Sequence, residues 1–280
     1  MNKLPIAKKV QIINMLVEGM SLRAASRIAD VSINTVTKLL VDTGKACQTF
    51  HDETVYNLTT KRIEADEIWS FVYSKEKNVE DIVNSNIDKD KAGDVWTFTG
   101  IDADSKLIVS WFVGDRTAES AYIFMCDMKD RLKNKVQLTT DGFKPYLNAV
   151  PDAFGSKIDY AMLIKIYGEP AGTNPTDRKY SPGDCTGFEK KRIIGKPLAE
   201  NVSTSYVERQ NLTMRMHMRR FTRLTNAFSK KMENHCHAIA LHFVYYNFCK
   251  IHKTLRVTPA MEAKLTKDVM TIEDIVNLTN

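Results

Sequence analysis

Three acidic residues, Asp66, Asp141 and Glu208, are the side chains of this chain best suited to hold divalent cations. We expect each to lie on a different element: Asp66 in a strand, Asp141 directly after another strand, and Glu208 on a helix. Mg²⁺ and Mn²⁺ prefer carboxylate oxygens as ligands. Two such ions, about 3.5–4 Å apart, activate an attacking oxygen and stabilise a leaving oxygen in phosphoryl transfer. This chemistry requires a fold that brings the three carboxylates together.

The segment from Ser203 to Lys231 surrounds Glu208 with positive charge. Glu208 is its one acidic residue, against seven basic residues. The basic residues are Arg209, Arg215, Arg219, Arg220, Arg223, Lys230 and Lys231. A helix over this segment would place Glu208 on one face with Arg215 and Arg219, and an apolar stripe on another face. The stripe consists of Val207, Met214, Met218 and Phe221.

The composition of this segment leaves two interpretations open. In the first, a solvated basic helix pairs Glu208 with neighbouring arginines on the protein surface. In the second, Glu208 is a metal ligand inside a surface that binds a nucleic acid. The second interpretation predicts that the segment contacts DNA through Arg209, Arg215, Arg219, Arg220 and Arg223.

The distribution of charge along the chain favours a nucleic-acid surface. The 280 residues carry a net charge of +6, which is a mild excess. Between Ser203 and Arg256 there are ten Lys and Arg against two Glu, so the net charge of the remaining chain is −2. The five cysteines are scattered and never spaced as CxxC, which argues for reduced thiols and against a zinc ribbon. No apolar run approaches the ~20 residues of a membrane span, so we expect a cytoplasmic protein with no membrane partner.

Other acidic residues and the histidines are weaker candidates for a metal site. Glu67 follows Asp66, but successive side chains of a strand point to opposite faces, so we expect Glu67 not to share the metals. Asp102 and Asp104 are alternatives for the first ligand, although their place in a tight turn suits Asp for conformational reasons. His235 and His237 would be about 200° apart around a helix, which favours packing or surface roles over a joint metal site.

The first 55 residues predict a small all-α domain of three helices. Ser21 and Ser32 are suited to cap the second and third helices, with a short turn between them. Small residues where two helices would cross are typical of a helix-turn-helix, which inserts its last helix into the major groove. We therefore expect Asn34, Thr35 and Lys38 to contact DNA. A generic three-helix bundle is the alternative.

The remaining chain predicts an α/β domain followed by a tail. Three strands, beginning with Arg62–Tyr73, form an antiparallel meander, and helices and strands then alternate. Strands are expected over 136–140 and 158–167, helices over 143–154, 203–231 and 231–251, and an irregular loop over 168–200. This order is that of a ribonuclease-H-like mixed sheet. The predicted domains are 1–55 (helix-turn-helix), 60–255 (catalytic) and 256–280 (helical tail).

Several stretches of the chain together resemble the DDE transposases of the IS-one type of bacterial insertion sequences. They are ADEIWSF (65–71), GDVWTFTGIDADSKLIVSWFVGDR (93–116), QLTTDGFKPY (137–146), STSYVERQNLTMRMHMRRFTRLTNAFSKK (203–231) and YNFCKIHKTLRVTPAMEA (246–263). In this resemblance Asp66 and Asp141 match the two catalytic aspartates and Glu208 in YVERQN matches the glutamate. It implies a ribonuclease-H-like catalytic domain that uses two Mg²⁺ or Mn²⁺ ions. Some relatives carry a cysteine-rich zinc finger before the helix-turn-helix, but no cysteine pair is present there in this chain.

The resemblance also implies the reaction and its partners. Such a protein binds the terminal repeats of its element as double-stranded DNA, cleaves there and transfers the strand to target DNA. We expect it to act as a homo-oligomer on DNA at the bacterial nucleoid. The alternative is an inactive, transposase-derived DNA-binding regulator. A structure-selective nuclease is a third possibility, and it would cut DNA without joining it.

Overall fold

The computed structural model describes residues 4–83, 86–168, 183–222 and 225–279. Its first 54 residues contain three helices: α1 (Ile6–Val17), α2 (Leu22–Ala29) and α3 (Ile33–Thr54). The two expected caps are confirmed, since the Ser21 Oγ accepts a hydrogen bond from the Ala24 backbone N–H (3.1 Å) and the Ser32 Oγ accepts one from that of Asn34 (3.2 Å). The three helices are therefore present, while their role as a DNA-binding helix-turn-helix stays a prediction.

A mixed, open sheet of six strands forms the centre of the molecule. In chain order its strands are β1 (Arg62–Val72), β2 (Gly93–Asp102), β3 (Ile108–Gly114), β4 (Val136–Thr140), β5 (Ile158–Tyr167) and β6 (Cys185–Ile194). Their order across the sheet is β3-β2-β1-β4-β5-β6. Neighbouring strands are antiparallel except for the pairs β1–β4 and β4–β5, which are parallel. This confirms the α/β class and the initial meander, and it is compatible with a ribonuclease-H-like core.

Helices pack around this sheet. They are α4 (Ala118–Asp130), α5 (Tyr146–Phe154), α6 (Ser205–His217), α7 (Met232–Val244), and the shorter α8 (Pro259–Glu262) and α9 (Ile272–Asn277). Thr117 caps α4, because its Oγ1 accepts a hydrogen bond from the Ser120 N–H (3.2 Å). The expected helix over 143–154 begins later, at Tyr146, because Pro145 caps it. No helix in the described ranges is long and apolar enough to cross a membrane.

The helix expected over 203–231 is shorter than predicted. α6 ends at His217, and Met218 adopts an extended backbone (φ −129°, ψ 97°) before a 3₁₀ turn at Arg219–Phe221. The Thr222 hydroxyl donates to the Arg215 carbonyl oxygen (3.0 Å), which closes the chain back onto the end of α6. The apolar stripe is nevertheless buried, because the 3₁₀ turn continues its face: Val207, Met214, Met218 and Phe221 are at most 7 % exposed.

The prediction of an irregular loop over 168–200 was wrong at Cys185–Ile194, which forms a strand, while residues 169–182 lie outside the described part of the chain. β6 pairs antiparallel with β5 along most of its length. Its sequence, CTGFEKKRII, lacks the alternation of apolar and polar residues on which a strand prediction depends. The physical reason is its place at the edge of the sheet, where most of its side chains are exposed and no core imposes a period of two.

The amino-terminal helices share one hydrophobic core with the sheet. α3 packs along α7, and Gly44 permits the close approach: a Cβ on Gly44 would lie 2.5 Å from the His237 carbonyl oxygen. Further along α3 the buried His51 Nε2 lies 3.2 Å from the Ile108 carbonyl oxygen at the start of β3. The second half of α3 is thereby held against the body of the molecule.

Candidate metal centre

Asp66 and Asp141 meet where β4 ends beside β1. Ala65 and Thr140 form the last recorded pair of the parallel β1–β4 ladder. Asp66 therefore lies one residue beyond the end of its neighbour strand, and Asp141 is the first residue after that strand. Ligands of open α/β sheets bind at this carboxyl edge of parallel strands. Carboxylate oxygens of Asp66, Asp141 and Glu67 lie within 4.8 Å of one another, a group that could hold a metal ion.

The expectation that Glu67 stands apart from this group was wrong. Its side chain points to the opposite face from Asp66, as alternation requires. There the Arg116 Nη2 lies 3.1 Å from the Glu67 Oε1, and the Tyr146 hydroxyl donates to the Oε2 (3.4 Å). β4 ends at Thr140, so beside Asp66 and Glu67 no backbone of β4 separates the two faces of the sheet. A carboxylate from either face can then approach Asp141.

Helix α6 is positioned over the same edge by two side chains of β1. The buried Glu64 Oε2 accepts hydrogen bonds from the backbone N–H groups of Tyr206 (2.7 Å) and Val207 (3.1 Å), in the first turn of α6. These donors have no partner inside the helix, and a carboxylate also suits the positive end of the helix dipole. One turn later, the Asn211 Nδ2 donates to the Asp66 Oδ2 (2.8 Å).

Glu208 faces the same cleft but is held by other groups. Its Oε1 accepts a hydrogen bond from the Thr204 hydroxyl (2.5 Å), and its Oε2 forms an ion pair with the Lys165 Nζ (2.6 Å). An open cleft of about 820 Å³ is lined by Glu208 together with Asp66, Glu67 and Asp141. The structure thus brings the three predicted ligands into one cleft, with the two aspartates close together and Glu208 paired to Lys165.

Burial and mutual repulsion raise the pKa values of the acidic group, although positively charged side chains lie nearby. Burial, and then the charge of Asp141, raises the pKa of Asp66 to about 7. Burial, followed by the charges of Asp141 and Asp66, raises the pKa of Glu67 to about 8 despite the adjacent Arg116. Burial likewise raises the pKa of Asp141. A divalent cation among these oxygens would supply further positive charge.

The donor set fits Mg²⁺ or Mn²⁺. The metal-binding group consists only of carboxylates, the hard oxygen ligands that these ions select. The Asn211 side chain also fits a hydrated metal ion. Within the described ranges its Oδ1 is buried and has no hydrogen-bond partner, although its Nδ2 is bound to Asp66. Such an atom can accept a hydrogen bond from water bound beside the metal.

Four residues of this site were not singled out as functional in the sequence. They are Glu67, Arg116, Lys165 and Asn211. The position of Asn211, three residues after Glu208 on the same helical face, is a signal that could have identified it. Arg116 and Lys165 carry no such local signal, because they reach the cleft only through the packing of β3 and β5 against their neighbours.

The alternative acidic residues have structural roles. The Asp102 Oδ1 accepts a hydrogen bond from the Asp104 N–H (2.8 Å), and its Oδ2 accepts one from the Ser105 hydroxyl (2.9 Å). Asp104 also pairs with Arg62. These contacts close the β2–β3 turn, as the sequence predicts.

His235 is buried between the hydroxyls of Ser70 (3.1 Å) and Ser229 (3.0 Å), which is a packing role and not a metal site.

The residues predicted to contact DNA lie in different surroundings. Asn34, Thr35 and Lys38 are exposed at the start of α3, where the Lys38 Nζ pairs with Asp42 (2.6 Å). Arg209 and Arg219 are also exposed.

The other arginines predicted to contact DNA are less exposed than Arg209 and Arg219 or fall outside the described residues. Arg215 lines the acidic cleft. The Arg220 Nη1 donates to the Ser229 Oγ (2.9 Å) and to the Asn234 carbonyl oxygen (3.1 Å), which joins two segments of the chain. Arg223 falls outside the described residues.

A comparison with protein-family models finds no match, and a comparison with curated proteins finds none either.

Proposed function

We propose that this protein is a DNA transposase of the DDE type, which cleaves DNA at the ends of a mobile element and joins the freed ends to target DNA. The observation that carries the proposal is the arrangement of three carboxylates from separate elements around one cleft. Asp66 of β1, Asp141 after β4 and Glu208 of α6 all line it. The sheet order is compatible with a ribonuclease-H-like core, and the sequence resemblance supplies the substrate class.

Asp66 and Asp141 would hold the metal, with Glu67 and Glu208 as neighbouring carboxylates. When bound, divalent ions activate the attacking water or 3′-hydroxyl and stabilise the leaving oxygen. Asn211 orients the Asp66 carboxylate through its 2.8 Å hydrogen bond. The Thr204 hydroxyl holds the Glu208 carboxylate in place through its hydrogen bond to the Oε1.

The basic residues of the cleft suit a phosphate substrate. Arg116, Lys165 and Arg215 line it together with the carboxylates. The Arg116 guanidinium lies 4.3 Å from the ring centroid of Phe143 and 4.7 Å from that of Trp96, so stacking fixes its position at the cleft. Positive groups held beside a metal site attract the DNA backbone and compensate the charge that develops on the transferred phosphate.

The proposal is tested by removing single carboxylate charges. Asp66→Asn, Asp141→Asn and Glu208→Gln nearly preserve side-chain shape but remove one negative charge from the site. Each should lower nicking and joining of element-end DNA by at least about a hundredfold with Mg²⁺ or Mn²⁺, because one metal site serves both steps. DNA affinity, measured by fluorescence anisotropy, should change little.

Asp104→Asn is the matched control, since that carboxylate belongs to the β2–β3 turn and should leave the chemistry intact. Normal activity in the folded Asp66→Asn and Asp141→Asn variants would exclude the site. If the wild-type protein binds element ends and never nicks them, the inactive regulator replaces the transposase. If it nicks DNA but never joins it, the protein is a nuclease and not a transposase.

A further inference from the structure

The β5–β6 hairpin exposes two aromatic side chains next to the acidic cleft. Tyr167 is 59 % exposed and Phe188 is 64 % exposed, the highest values among the aromatic residues of the described ranges. Ile166, the residue before Tyr167 in β5, is 52 % exposed. Exposed apolar side chains gathered on two paired strands are a sign of a binding surface.

The two aromatic residues lie on one face of the hairpin, together with basic residues. Cross-strand partners in an antiparallel pair share a face, and Phe188 is the partner of Lys165. The same face carries Arg192, the partner of Ala161, and Lys190, the partner of Leu163. Alternation along β5 adds Tyr167 to it.

This face is positively charged and continuous with the cleft. From position 161 to 167 of β5 and from 186 to 192 of β6 it carries three basic residues and no acidic one, since Glu189 points to the other face. Lys165 and Tyr167 themselves line the cleft. The hairpin face therefore includes Lys165, which pairs with Glu208 at the cleft, and extends from there along β6 to Arg192.

Protection of a sheet edge does not account for this composition. Charged side chains on an exposed edge strand discourage pairing with other chains, which would explain Lys191 and Arg192. Exposed aromatic rings have the opposite effect, so Phe188 and Tyr167 require another reason. Aromatic rings interleaved with basic residues are typical of surfaces on which successive bases of a single strand stack.

We propose that this face of the hairpin binds single-stranded DNA, with Phe188 and Tyr167 stacking on unpaired bases beside the cleft and Arg192 contacting a phosphate. This inference rests on the proposed function and specifies the state of its substrate. Only unpaired bases offer a free face to an aromatic side chain, whereas an intact duplex offers backbone and groove edges. The DNA would thus be locally unpaired where it leaves the acidic site.

The test measures binding of the full chain without metal. The probes are a dye-labelled oligothymidylate of about 15 nucleotides, close to the upper site size of single-strand binding modules, and a duplex of equal length. Phe188→Ala and Tyr167→Ala should each weaken binding of the single strand at least about fivefold, while duplex binding stays within about twofold. Phe188→Trp should retain binding. Tyr56→Ala is the control, since that tyrosine is 53 % exposed and lies outside the hairpin.

A second pair of variants tests the phosphate contact. Arg192→Gln should lower the slope of log K against log[salt] for the single strand by about 0.7. Lys191→Gln, which alters the adjacent residue on the opposite face, should leave the slope unchanged. All of these side chains are exposed, so thermal melting should show that the variants remain folded.

Three results would overturn the inference. Unchanged single-strand affinity in both aromatic variants excludes stacking. Equal losses of affinity for the single strand and the duplex indicate that the face contacts only the phosphate backbone. Loss of self-association in Phe188→Ala, with DNA binding intact, indicates that a second copy of the chain covers the hairpin. In each case normal nicking by the hairpin variants would leave the proposed function standing, whereas a wild-type protein that binds neither DNA would refute both.

Discussion

At the scale of single residues, Asn211 connects helix α6 to the acidic group. Its Nδ2 is bound to Asp66 and its Oδ1 is buried without a partner among the described residues. Loss of groups that orient a metal ligand commonly costs 10- to 100-fold in metal affinity. Asn211→Ala should therefore raise the Mg²⁺ concentration for half-maximal nicking by about 10- to 100-fold, with recovery of rate at high Mg²⁺. Leu212→Ala, an exposed neighbour, is the control. A lowered maximal rate with an unchanged Mg²⁺ requirement would contradict this role.

Adjacent arginines after α6 are expected to behave differently. Arg219 is exposed, whereas the Arg220 guanidinium is bound to Ser229 and Asn234. Arg219→Ala should lower the salt slope of duplex binding by about one unit and leave stability unchanged. Arg220→Ala should instead destabilise the fold by about 1–3 kcal/mol, because two acceptors lose a charged donor. Salt titrations and urea unfolding of both variants distinguish the two roles. Equal effects in both assays would show that the contacts of Arg220 are not structural.

At the scale of secondary-structure elements, Glu64 holds the start of α6 against β1. Its carboxylate accepts two backbone hydrogen bonds at the helix start. Glu64→Ala should lower the free energy of unfolding by about 1–3 kcal/mol, since both N–H groups would lose their acceptor. It should also reduce nicking, because Asn211 and Glu208 depend on the position of α6. Urea unfolding and the nicking assay measure the two effects. Glu64→Gln retains an acceptor oxygen and should lower the free energy of unfolding less than Glu64→Ala. Equal decreases in the two variants would argue against Glu64 as the cap of α6.

The elements show which features a sequence can predict. β4 and β5 follow their predicted bounds, and both are interior strands of the sheet with β-branched and aromatic residues. β6 was missed because an edge strand with exposed side chains carries no such period. The end of α6 was missed because the bonds that close it, such as that from Thr222 to Arg215, form only in the folded chain. Glu67 was excluded as a metal ligand because its side chain points away from that of Asp66. It does so, but where β4 stops its carboxylate still lies near those of Asp66 and Asp141.

At the scale of the whole molecule, buried histidines make stability depend on pH. Burial, then the nearby His217 and Lys250, lowers the pKa of His242 from 6.5 to about 3. Between these two values the unfolded chain binds a proton that the folded chain does not, so stability falls as the pH drops below 6.5. The loss for His242 should be about 2 kcal/mol at pH 5 relative to pH 7.5.

Replacement of this histidine should remove part of the acid sensitivity. Urea unfolding of the wild-type protein and of His242→Met at pH 7.5 and pH 5 measures the difference. The drop in stability between the two pH values should be smaller in the variant by about 2 kcal/mol. An identical drop in both proteins would show that His242 is already protonated, or becomes so without cost, in the fold.

The contact between α3 and α7 has a geometric consequence for any DNA held by the exposed start of α3. α3 is 22 residues long, so it spans about 33 Å, close to the length of one turn of a DNA duplex. Its second half is held at Gly44 and His51, while Asn34, Thr35 and Lys38 are exposed near its first residue. If the start of α3 binds DNA as proposed, the rigid attachment of the helix to the body of the molecule would fix the distance between the bound sequence and the acidic cleft of Asp66 and Asp141.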